Sequence, residues 1–284
     1  MDLSLYKRII DEAAGFPVND ICLHLFGEPL LNPEIFEMIR YAKKFGVNTL
    51  ISTNATLLKA ENLSDILSSG LDRLIISLDG ATEETYEKIR RRADFEETLD
   101  GIMSFLHLRK ELRSQKPHTV LQVIRMKDTE KEIGSFVERF REFPADAIHI
   151  KELDSWLGQI EAIKDLSTTP PKKFGERYPC GALWYSMAIY WDGRVVPCCR
   201  DYDAKYVLGN ISEEKLSSIW NNKKMQNLRL THIRNEYETT PLCLECEAWQ
   251  RLTPMHTLKH RIAMMNKQIA IKIAGPNEIP VLST

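Results

Sequence analysis

Ile21-Cys22-Leu23-His24-Leu25-Phe26 is an apolar run of the kind that forms a β-strand, and it ends in the polar turn Gly27-Glu28-Pro29. Two later runs end in the same way: Val47 to Ile51 before Ser52-Thr53-Asn54, and Leu74 to Ile76 before Ser77-Leu78-Asp79-Gly80. Amphipathic helical segments lie between the runs, and the strand ends recur about every 25 residues. This recurrence predicts a chain of βα units.

Two further strands are predicted in the first half of the chain, at Thr119 to Ile124 and at Ala147 to Ile150. Long helices are predicted at Phe95 to Leu112 and at Lys131 to Phe143. Alternating strands and helices favour parallel strands joined by right-handed crossovers. Five strands are too few to close an eight-stranded barrel, so we predict an α/β fold with a partial, open (β/α) barrel of the TIM type.

The polar ends of the first three strands form the candidate binding site. Ligands of βα barrels bind at the carboxyl ends of the strands, and three corresponding polar clusters favour ligand binding over helix capping. Glu28 could pair with an ammonium group, and Ser77 with Asp79 could bond a ribose or a carboxylate-bearing ligand. The full candidate set is Gly27, Glu28, Pro29, Ser52, Thr53, Asn54, Ser77 and Asp79.

Composition and charge limit the class of protein. The 284 residues carry 38 basic and 40 acidic side chains, a net charge of −2, which gives no footprint for nucleic acid or an anionic membrane. No apolar stretch is long enough to span a membrane, and the amino terminus lacks the apolar core of a signal peptide. We therefore expect a cytoplasmic protein. Six cysteines in such a chain indicate metal binding or redox chemistry rather than disulfides.

Four of the cysteines form a candidate metal centre. Cys180 and Cys198 flank a predicted hairpin, Ser186 to Val196, whose Asp192-Gly193 step predicts a two-residue turn. Cys243 and Cys246 form a C-x-x-C. Four thiolates suit either a tetrahedral zinc ion or a [4Fe–4S] cluster, and ligand chemistry alone does not choose between them.

The two remaining cysteines have simpler interpretations. Cys199 adjoins Cys198, and because neighbouring side chains diverge we expect Cys199 to bind no metal. Cys22 lies within an apolar strand and is expected to be a buried small hydrophobic residue. The run Arg90-Arg91-Arg92 is expected to be a solvated helix end.

Taken together, these motifs resemble the radical S-adenosylmethionine (radical SAM) superfamily. Phe26 to Leu31 is similar to its G-E-P motif, and the polar ends at 52–54 and 77–80 are similar to its next two strand-end motifs. The second half resembles the SPASM or twitch module, a small α+β domain that holds an auxiliary iron–sulfur cluster. The resemblance lies in the cysteine order, in Gly193 within the hairpin and in the segments Val195 to Cys199, Leu208 to Asn210 and Ser218 to Asn221.

The resemblance implies a role for each candidate residue. Gly27, Glu28 and Pro29 would hold the methionine end of SAM through backbone groups and the Glu28 carboxylate. Residues 52–54 and Ser77 would line the cofactor site. The four cysteines would bind one auxiliary [4Fe–4S] cluster, which favours iron–sulfur over zinc.

The chain departs from the superfamily pattern in two places. The superfamily binds its catalytic cluster on a C-x-x-x-C-x-x-C loop after the first barrel strand, and no such motif occurs here. The sequence begins just past the expected place of that loop, so we expect the chain as written not to cleave SAM. The full SPASM pattern also continues with further cysteines, whereas Leu252 and His256 stand at the equivalent offsets. One auxiliary cluster, the twitch form, is therefore expected.

The sequence thus predicts four segments: a partial radical SAM barrel over 1–155, a linker over 156–176, a twitch-like iron–sulfur domain over 177–252, and a C-terminal helix and tail over 253–284. The leading function is a radical SAM enzyme that oxidises or modifies a peptide or small molecule, reduced by a partner such as flavodoxin or ferredoxin. Two alternatives stay open. One is a non-catalytic iron–sulfur or electron-transfer protein, and the other is a zinc-stapled interaction domain.

Overall fold

The computed structural model describes residues 1–154, 156, 160–168, 177–244, 246, 249 and 281–283. These residues form two compact units. The barrel unit contains Ala13–Leu153, Leu166–Thr168 and the segment that includes Val281–Ser283. The small unit contains Met1–Glu12 and, with a few residues from 154 onward, the described residues between 177 and 249. The sequence-based boundaries at 155, 176 and 252 stay predictions.

The barrel unit is built on a six-stranded sheet in which every neighbouring pair of strands is parallel. The partial (β/α) barrel expected from the sequence is confirmed. All five predicted strands are present, although the first ends at Cys22 and not at Phe26 as predicted. The count of five was wrong because Val281–Ser283 adds a sixth strand beside β5. In sheet order the strands are β1 (Asp20–Cys22), β2 (Asn48–Thr53), β3 (Arg73–Ser77), β4 (His118–Arg125), β5 (Ala147–Glu152) and β9 (Val281–Ser283).

Five helices cover one face of this sheet: α2 (Ile35–Lys43), α3 (Ala60–Ser68), α4 (Glu83–Ile89), α5 (Phe95–Glu111) and α6 (Ile133–Phe140). Their apolar faces and alternate residues of the strands form one core, in which Ile39, Ile66 and Leu74 are fully buried. Burial of an aliphatic side chain of this size stabilises the fold by about 1.5–3 kcal/mol. The core therefore fixes which face of each strand points towards the helices.

Helix α5 is the longest helix of the barrel unit, and its ends follow from local sequence signals. The Asp94 side chain accepts a hydrogen bond from the Glu97 N–H at 2.8 Å and so caps the first turn. Acidic residues occupy the first turn, and Arg109 and Lys110 occupy the last, as the helix dipole favours. The prediction of a helix at Phe95 to Leu112 is confirmed. The helix predicted at Lys131 to Phe143 is shorter, because a 3₁₀ turn at Glu130–Glu132 precedes α6.

The small unit contains a three-stranded antiparallel sheet formed by β6 (Ala188–Ile189), β7 (Arg194–Val196) and β8 (Gly209–Asn210). Ala188 pairs with Val196, so three residues rather than the predicted two connect the first hairpin. Gly193 takes a φ of +85°, which a three-residue loop requires at its last position. The Asp-Gly signal located the turn correctly but did not fix its length.

Helices of the small unit are α1 (Leu3–Ala13), α7 (Glu161–Lys164), α8 (Ala182–Tyr185), α9 (Leu216–Trp220), α10 (Lys223–Arg234) and α11 (Pro241–Leu244). Ile9 of α1 packs in one apolar cluster with Val195, Ile211 and Leu228. The Glu12 carboxylate also accepts the Leu216 N–H at 2.6 Å. Helix α1 is thus held by the small unit, whereas the sequence-based division placed it with the strands.

The predicted C-terminal helix at Met255 to Ile273 and most of the predicted linker lie outside the described residues. Within the described ranges, the longest helices are too short or too polar to cross a lipid bilayer.

Candidate cofactor and metal sites

The Glu28 carboxylate connects the polar ends of the first two strands of the barrel unit. One of its oxygens accepts the Thr53 hydroxyl at 2.8 Å and the Leu30 N–H at 3.0 Å. The other accepts the Asn54 N–H at 2.7 Å. Charge-assisted hydrogen bonds of this kind are about twice as strong as neutral ones. The carboxylate therefore holds the turn after β1 against the end of β2.

This arrangement changes the expected role of Glu28. The sequence assigned its carboxylate to the ammonium group of SAM, but the carboxylate already accepts three hydrogen bonds from the chain. Gly27 takes a φ of +82°, a conformation that favours glycine, and no atom lies within 4 Å of the Cβ position it leaves empty. A ligand can thus approach the backbone here closely. The backbone groups of Gly27, Glu28 and Pro29 stay the predicted contacts.

Asp79 forms the second polar junction, after β3. Its buried carboxylate is ion-paired with Arg90, and it accepts the Ile124 N–H at 3.2 Å. The Ser77 hydroxyl lies 3.3 Å from the Asp79 carboxylate and 3.2 Å from the Arg90 guanidinium. Ser77 and Asp79 were expected to bond a ribose or a carboxylate-bearing ligand, whereas here both side chains are engaged with each other and with Arg90. Their contact with a ligand stays a prediction.

Arg90 was misjudged from the sequence as part of a solvated helix end. It follows the last residue of α4, and its guanidinium reaches back to the strand end because Asp79 is buried and negatively charged. Arg91 and Arg92 are exposed, as predicted. A cavity of about 540 Å³ lies beside Asn54 and Arg90. Asn54 at the end of β2 and Arg90 at the end of α4 thus border one space large enough for part of a small cofactor.

Polar residues that the sequence motifs did not indicate lie within the strands or directly after them. His24 accepts the Ser52 N–H through Nδ1 at 3.1 Å, and His149 Nδ1 lies 3.2 Å from the Gln122 side-chain oxygen. Burial and the charge of Lys151 lower the pKa of His24 below its ordinary value. Polar residues at alternate positions of apolar strands are the sequence signal that could have identified them.

In the small unit, the four predicted ligand cysteines influence one another. Burial raises the pKa of Cys198 to about 12, and the charges of Cys199, Cys246 and Cys180 add to the effect. Burial also raises the pKa of Cys243, with further contributions from Cys198, Cys246 and Cys180. The thiols at 198 and 243 therefore lie within electrostatic range of the other two proposed ligands. Thiols with raised pKa values lose their protons near neutral pH only when a cationic centre binds them.

Two guanidinium groups lie beside the cysteines. Arg177 donates to the carbonyl oxygens of Cys243 at 2.6 Å and Leu244 at 3.0 Å, and it lies over the ring of Tyr237. Arg200 follows Cys199 and is ion-paired with Asp154. Both charges lower the pKa of Cys180, against the larger effect of its burial. A donor set of thiols beside fixed positive charges fits an anionic thiolate-bound centre.

The cysteines are not arranged to hold a single metal ion. Across the described residues, no group of three or more His, Cys, Asp and Glu side chains is arranged to hold a metal ion. The four cysteines influence one another electrostatically, but among the described residues no three of them are arranged to hold a single ion. Their assignment as ligands stays a prediction.

The two other cysteines differ in their outcomes. Cys199 is exposed, and its exclusion from the metal centre stays a prediction. Cys22 is also exposed, so the prediction that it is a buried hydrophobic residue was wrong. The reason is that β1 is an edge strand and Cys22 lies on the side of it opposite Ile21 and Leu23, the latter of which packs against the core.

Two family models match the chain over separate ranges. Residues 1–140 match the radical SAM superfamily model. Residues 180–247 match the SPASM model, described as an iron–sulfur cluster-binding domain. The second match begins at Cys180 and ends one residue after Cys246, so it contains all four predicted ligands.

Relatives with curated descriptions are similar to the chain over different lengths. A tungsten-containing aldehyde ferredoxin oxidoreductase cofactor-modifying protein of Pyrococcus furiosus is 24% identical over 283 residues, covering 87% of this chain and 79% of the relative. An uncharacterized protein of Treponema pallidum is 27% identical over 258 residues, covering 87% of this chain and 68% of the relative. An AdoMet-dependent heme synthase of Methanosarcina barkeri is 39% identical over 97 residues, covering 34% and 28% respectively.

Solved structures share the fold at low identity. BtrN in complex with AdoMet and 2-DOIA has a TM-score of 0.55 at 18% identity, covering 87% of this chain and 80% of that one. Streptococcus suis SuiB has a TM-score of 0.60 at 16% identity, covering 86% and 65%.

The fold and the family matches together place the protein in the class of radical SAM proteins with a partial barrel. The chain belongs to the radical SAM superfamily and carries a C-terminal SPASM domain. The cofactors of these two domains are SAM and an auxiliary iron–sulfur cluster. The resemblance seen in the sequence is confirmed.

Proposed function

We propose that this chain provides the SAM site and the auxiliary-cluster site of a radical SAM enzyme that oxidises or modifies a small molecule or a peptide. The observation that supports the proposal most strongly is that four partly buried cysteines, whose thiols influence one another electrostatically, lie inside the matched SPASM range. In this proposal Cys180, Cys198, Cys243 and Cys246 are the cluster ligands. The bound cluster supplies one-electron chemistry, and the protein supplies position and electrostatics.

The SAM site is assigned to the strand ends of the barrel unit. The turn at Gly27 to Pro29 exposes backbone groups, and the Glu28 carboxylate fixes that turn to Thr53 and Asn54. Ser52, Thr53, Asn54, Ser77 and Asp79 stay the proposed cofactor-site residues. Glu28 and Asp79 act in it by positioning their neighbours, since their carboxylates are engaged within the chain.

Substrate and electron donor are the finer parts of the proposal. Relatives that are named for their chemistry include heme synthases and GTP 3′,8-cyclases, and SuiB has been solved with a precursor peptide. Both kinds of substrate are thus found among similar proteins. Reduction by a flavodoxin or ferredoxin is proposed because the cofactors of this superfamily require single electrons.

Reductive cleavage of SAM provides the test. Since no C-x-x-x-C-x-x-C motif occurs among the 284 residues, we expect the reconstituted chain to bind SAM without cleaving it. A variant extended upstream of Met1 by a segment that carries the motif is expected to form 5′-deoxyadenosine under reduction with dithionite. An extended variant that binds SAM and a second cluster, yet forms no 5′-deoxyadenosine, would show that the barrel unit is not catalytic.

A further inference from the structure

The guanidinium group of Arg177 in the small unit is held by four contacts. Its two terminal nitrogens donate to the carbonyl oxygens of Cys243 and Leu244, at 2.6 and 3.0 Å. Its central carbon lies 3.7 Å from the centre of the Tyr237 ring and 5.7 Å from the centre of the Trp249 ring. Because arginine presents a rigid fork of donors and stacks on aromatic rings, these contacts fix the position of its charge.

These contacts place the charge of Arg177 beside the C-x-x-C segment. The carbonyl oxygen of Cys243 accepts the Cys246 N–H at 3.2 Å as well as the guanidinium, so Arg177 holds the turn that joins two of the proposed ligands. A cysteine sulfur lies close to its own carbonyl oxygen, which puts the Cys243 sulfur within roughly 8 Å of the guanidinium. Salt screens poorly over so short a distance, since the Debye length is about 10 Å at 0.1 M ionic strength.

The charge of Arg177 is not neutralised by a carboxylate among the residues that the structure describes. Its Nε atom is buried and meets no hydrogen-bond acceptor in the described part of the chain. Burial raises the pKa of Cys180 and of Cys243, and the positive charge of Arg177 opposes the rise in both. One guanidinium thus acts on proposed ligands from two separate segments of the small unit.

Arg200, the other guanidinium beside the cysteines, differs in this respect. It is ion-paired with Asp154, and the hydrogen bonds of the pair are bidentate. An arginine with a paired carboxylate presents little net charge to its surroundings. Arg177 is therefore the stronger source of positive potential at the proposed cluster site.

Reduction of a four-thiolate iron–sulfur cluster adds one electron and so makes its net charge one unit more negative. A fixed positive charge nearby stabilises the reduced form more than the oxidised form. We propose that Arg177 raises the reduction potential of the auxiliary cluster and thereby makes it a better acceptor of single electrons. The electron comes from an external one-electron reductant, and no bond to Arg177 forms or breaks. This inference rests on the proposed function and assigns a positioning residue to its cluster.

A redox titration of the anaerobically reconstituted chain with dithionite and mediators, followed by EPR of the reduced cluster, tests the inference. Since the C-x-x-x-C-x-x-C motif is absent from the 284 residues, the auxiliary cluster is the expected couple. Arg177→Gln and Arg177→Met, which both remove the charge, are each expected to make reduction at least tenfold less favourable. For a one-electron couple, this is a shift of the midpoint potential by about 59 mV or more to lower values.

Two further variants separate the charge from the structural contacts. Arg177→Lys retains the charge and is expected to recover most of the shift. Arg234→Gln removes an exposed arginine of α10 and is the matched control, expected to keep the potential of the parent because water screens that charge. Iron and sulfide analysis of each variant verifies that the cluster is present.

Equal midpoint potentials in the parent, Arg177→Gln and Arg177→Met, with iron retained, would overturn the inference and restrict Arg177 to holding the turn. Neutral variants that assemble no cluster would overturn it as well, because Arg177 would then be required to build the site. Failure of the proposed function has a different signature. The parent itself would bind zinc or no metal, no couple would be seen in any variant, and the inference would fall with it.

Discussion

The Nδ1 atom of His232 accepts the backbone N–H of Cys180 at 3.2 Å. His232 lies on α10 and is 1% exposed, and its ring packs edge-on against Tyr237. The first cysteine of the proposed cluster site is therefore oriented by a helix that begins 43 residues later in the chain. This contact makes the ligand geometry depend on the packing of the small unit.

Replacement of His232 is expected to weaken the small unit. His232→Ala leaves the Cys180 N–H without its acceptor and opens a cavity beside Tyr237, so we expect a loss of about 2–4 kcal/mol in unfolding free energy. The measurement is the urea unfolding midpoint under anaerobic conditions. His107→Ala, on the exposed side of α5, is the control and is expected to shift the midpoint little. Equal shifts in the two variants would contradict the structural role of His232.

Loss of one proposed ligand is expected to remove the auxiliary cluster. Cys243→Ala eliminates a partly buried thiol that interacts electrostatically with the three other proposed ligand cysteines. We expect the reconstituted variant to lose most of its iron and the absorption of the cluster. Cys199→Ala removes an exposed neighbouring thiol and is expected to retain both. Retention of the parent iron content by Cys243→Ala would exclude the assignment of Cys243.

The hydrogen bonds of Glu28 predict an effect on SAM binding. Glu28→Gln places an NH₂ group where one carboxylate oxygen accepted an N–H or O–H group, so one donor of the turn loses its acceptor. The cost of an unsatisfied donor is about 1–3 kcal/mol, which corresponds to a loss of SAM affinity of roughly tenfold or more if the turn must be ordered for binding. Equilibrium dialysis with labelled SAM measures this affinity. Glu61→Gln, an exposed change on α3, is expected to bind SAM like the parent.

Arg90 is expected to contribute to the stability of the barrel unit. Its guanidinium neutralises Asp79, whose side chain is only 2% exposed. Arg90→Ala leaves this carboxylate buried without its counter-ion, and we expect a loss of about 3 kcal/mol in unfolding free energy. The neighbouring change Arg91→Ala, at an exposed side chain, is expected to cost about 0.5 kcal/mol or less. Thermal unfolding of both variants would contradict the account if their midpoints were the same.

The lowered pKa of His149 predicts a dependence of stability on pH. A histidine whose folded-state pKa lies below its unfolded value of 6.5 binds its proton more readily in the unfolded chain. This group therefore reduces stability progressively as the pH falls below about 6.5. Lys151→Gln removes one of the two charges that lower the pKa and is expected to raise it. Ring resonances of isotopically labelled histidine, followed by NMR against pH, measure the pKa, and an unchanged value in the variant would contradict the proximity of Lys151.

The main strands could be predicted from the sequence because each is an apolar run of regular spacing. Strand β9 could not, since Val281–Ser283 pairs with a strand more than 130 residues earlier, and local pattern carries no information about that pairing. The ion pair of Arg90 with Asp79 was missed for a related reason. A run of three arginines is usually solvated, and only the burial of Asp79 in the fold draws one of them inward.

The candidate residues were identified from their motifs, but their chemistry required the structure. The resemblance selected Glu28 correctly as part of the turn, whereas its three hydrogen bonds show that the carboxylate supports the turn itself. His232 gave no sequence signal, because a lone histidine on a helix is common and its partner is a backbone group.

Iron, sulfide and zinc analysis of the anaerobically reconstituted chain, with its visible absorption spectrum, tests the central claim most directly. The account predicts about four irons and four sulfides per chain and the broad brown absorption of a cubane. About one zinc per chain and no colour would contradict it, because the four cysteines would then form a structural zinc site without redox chemistry.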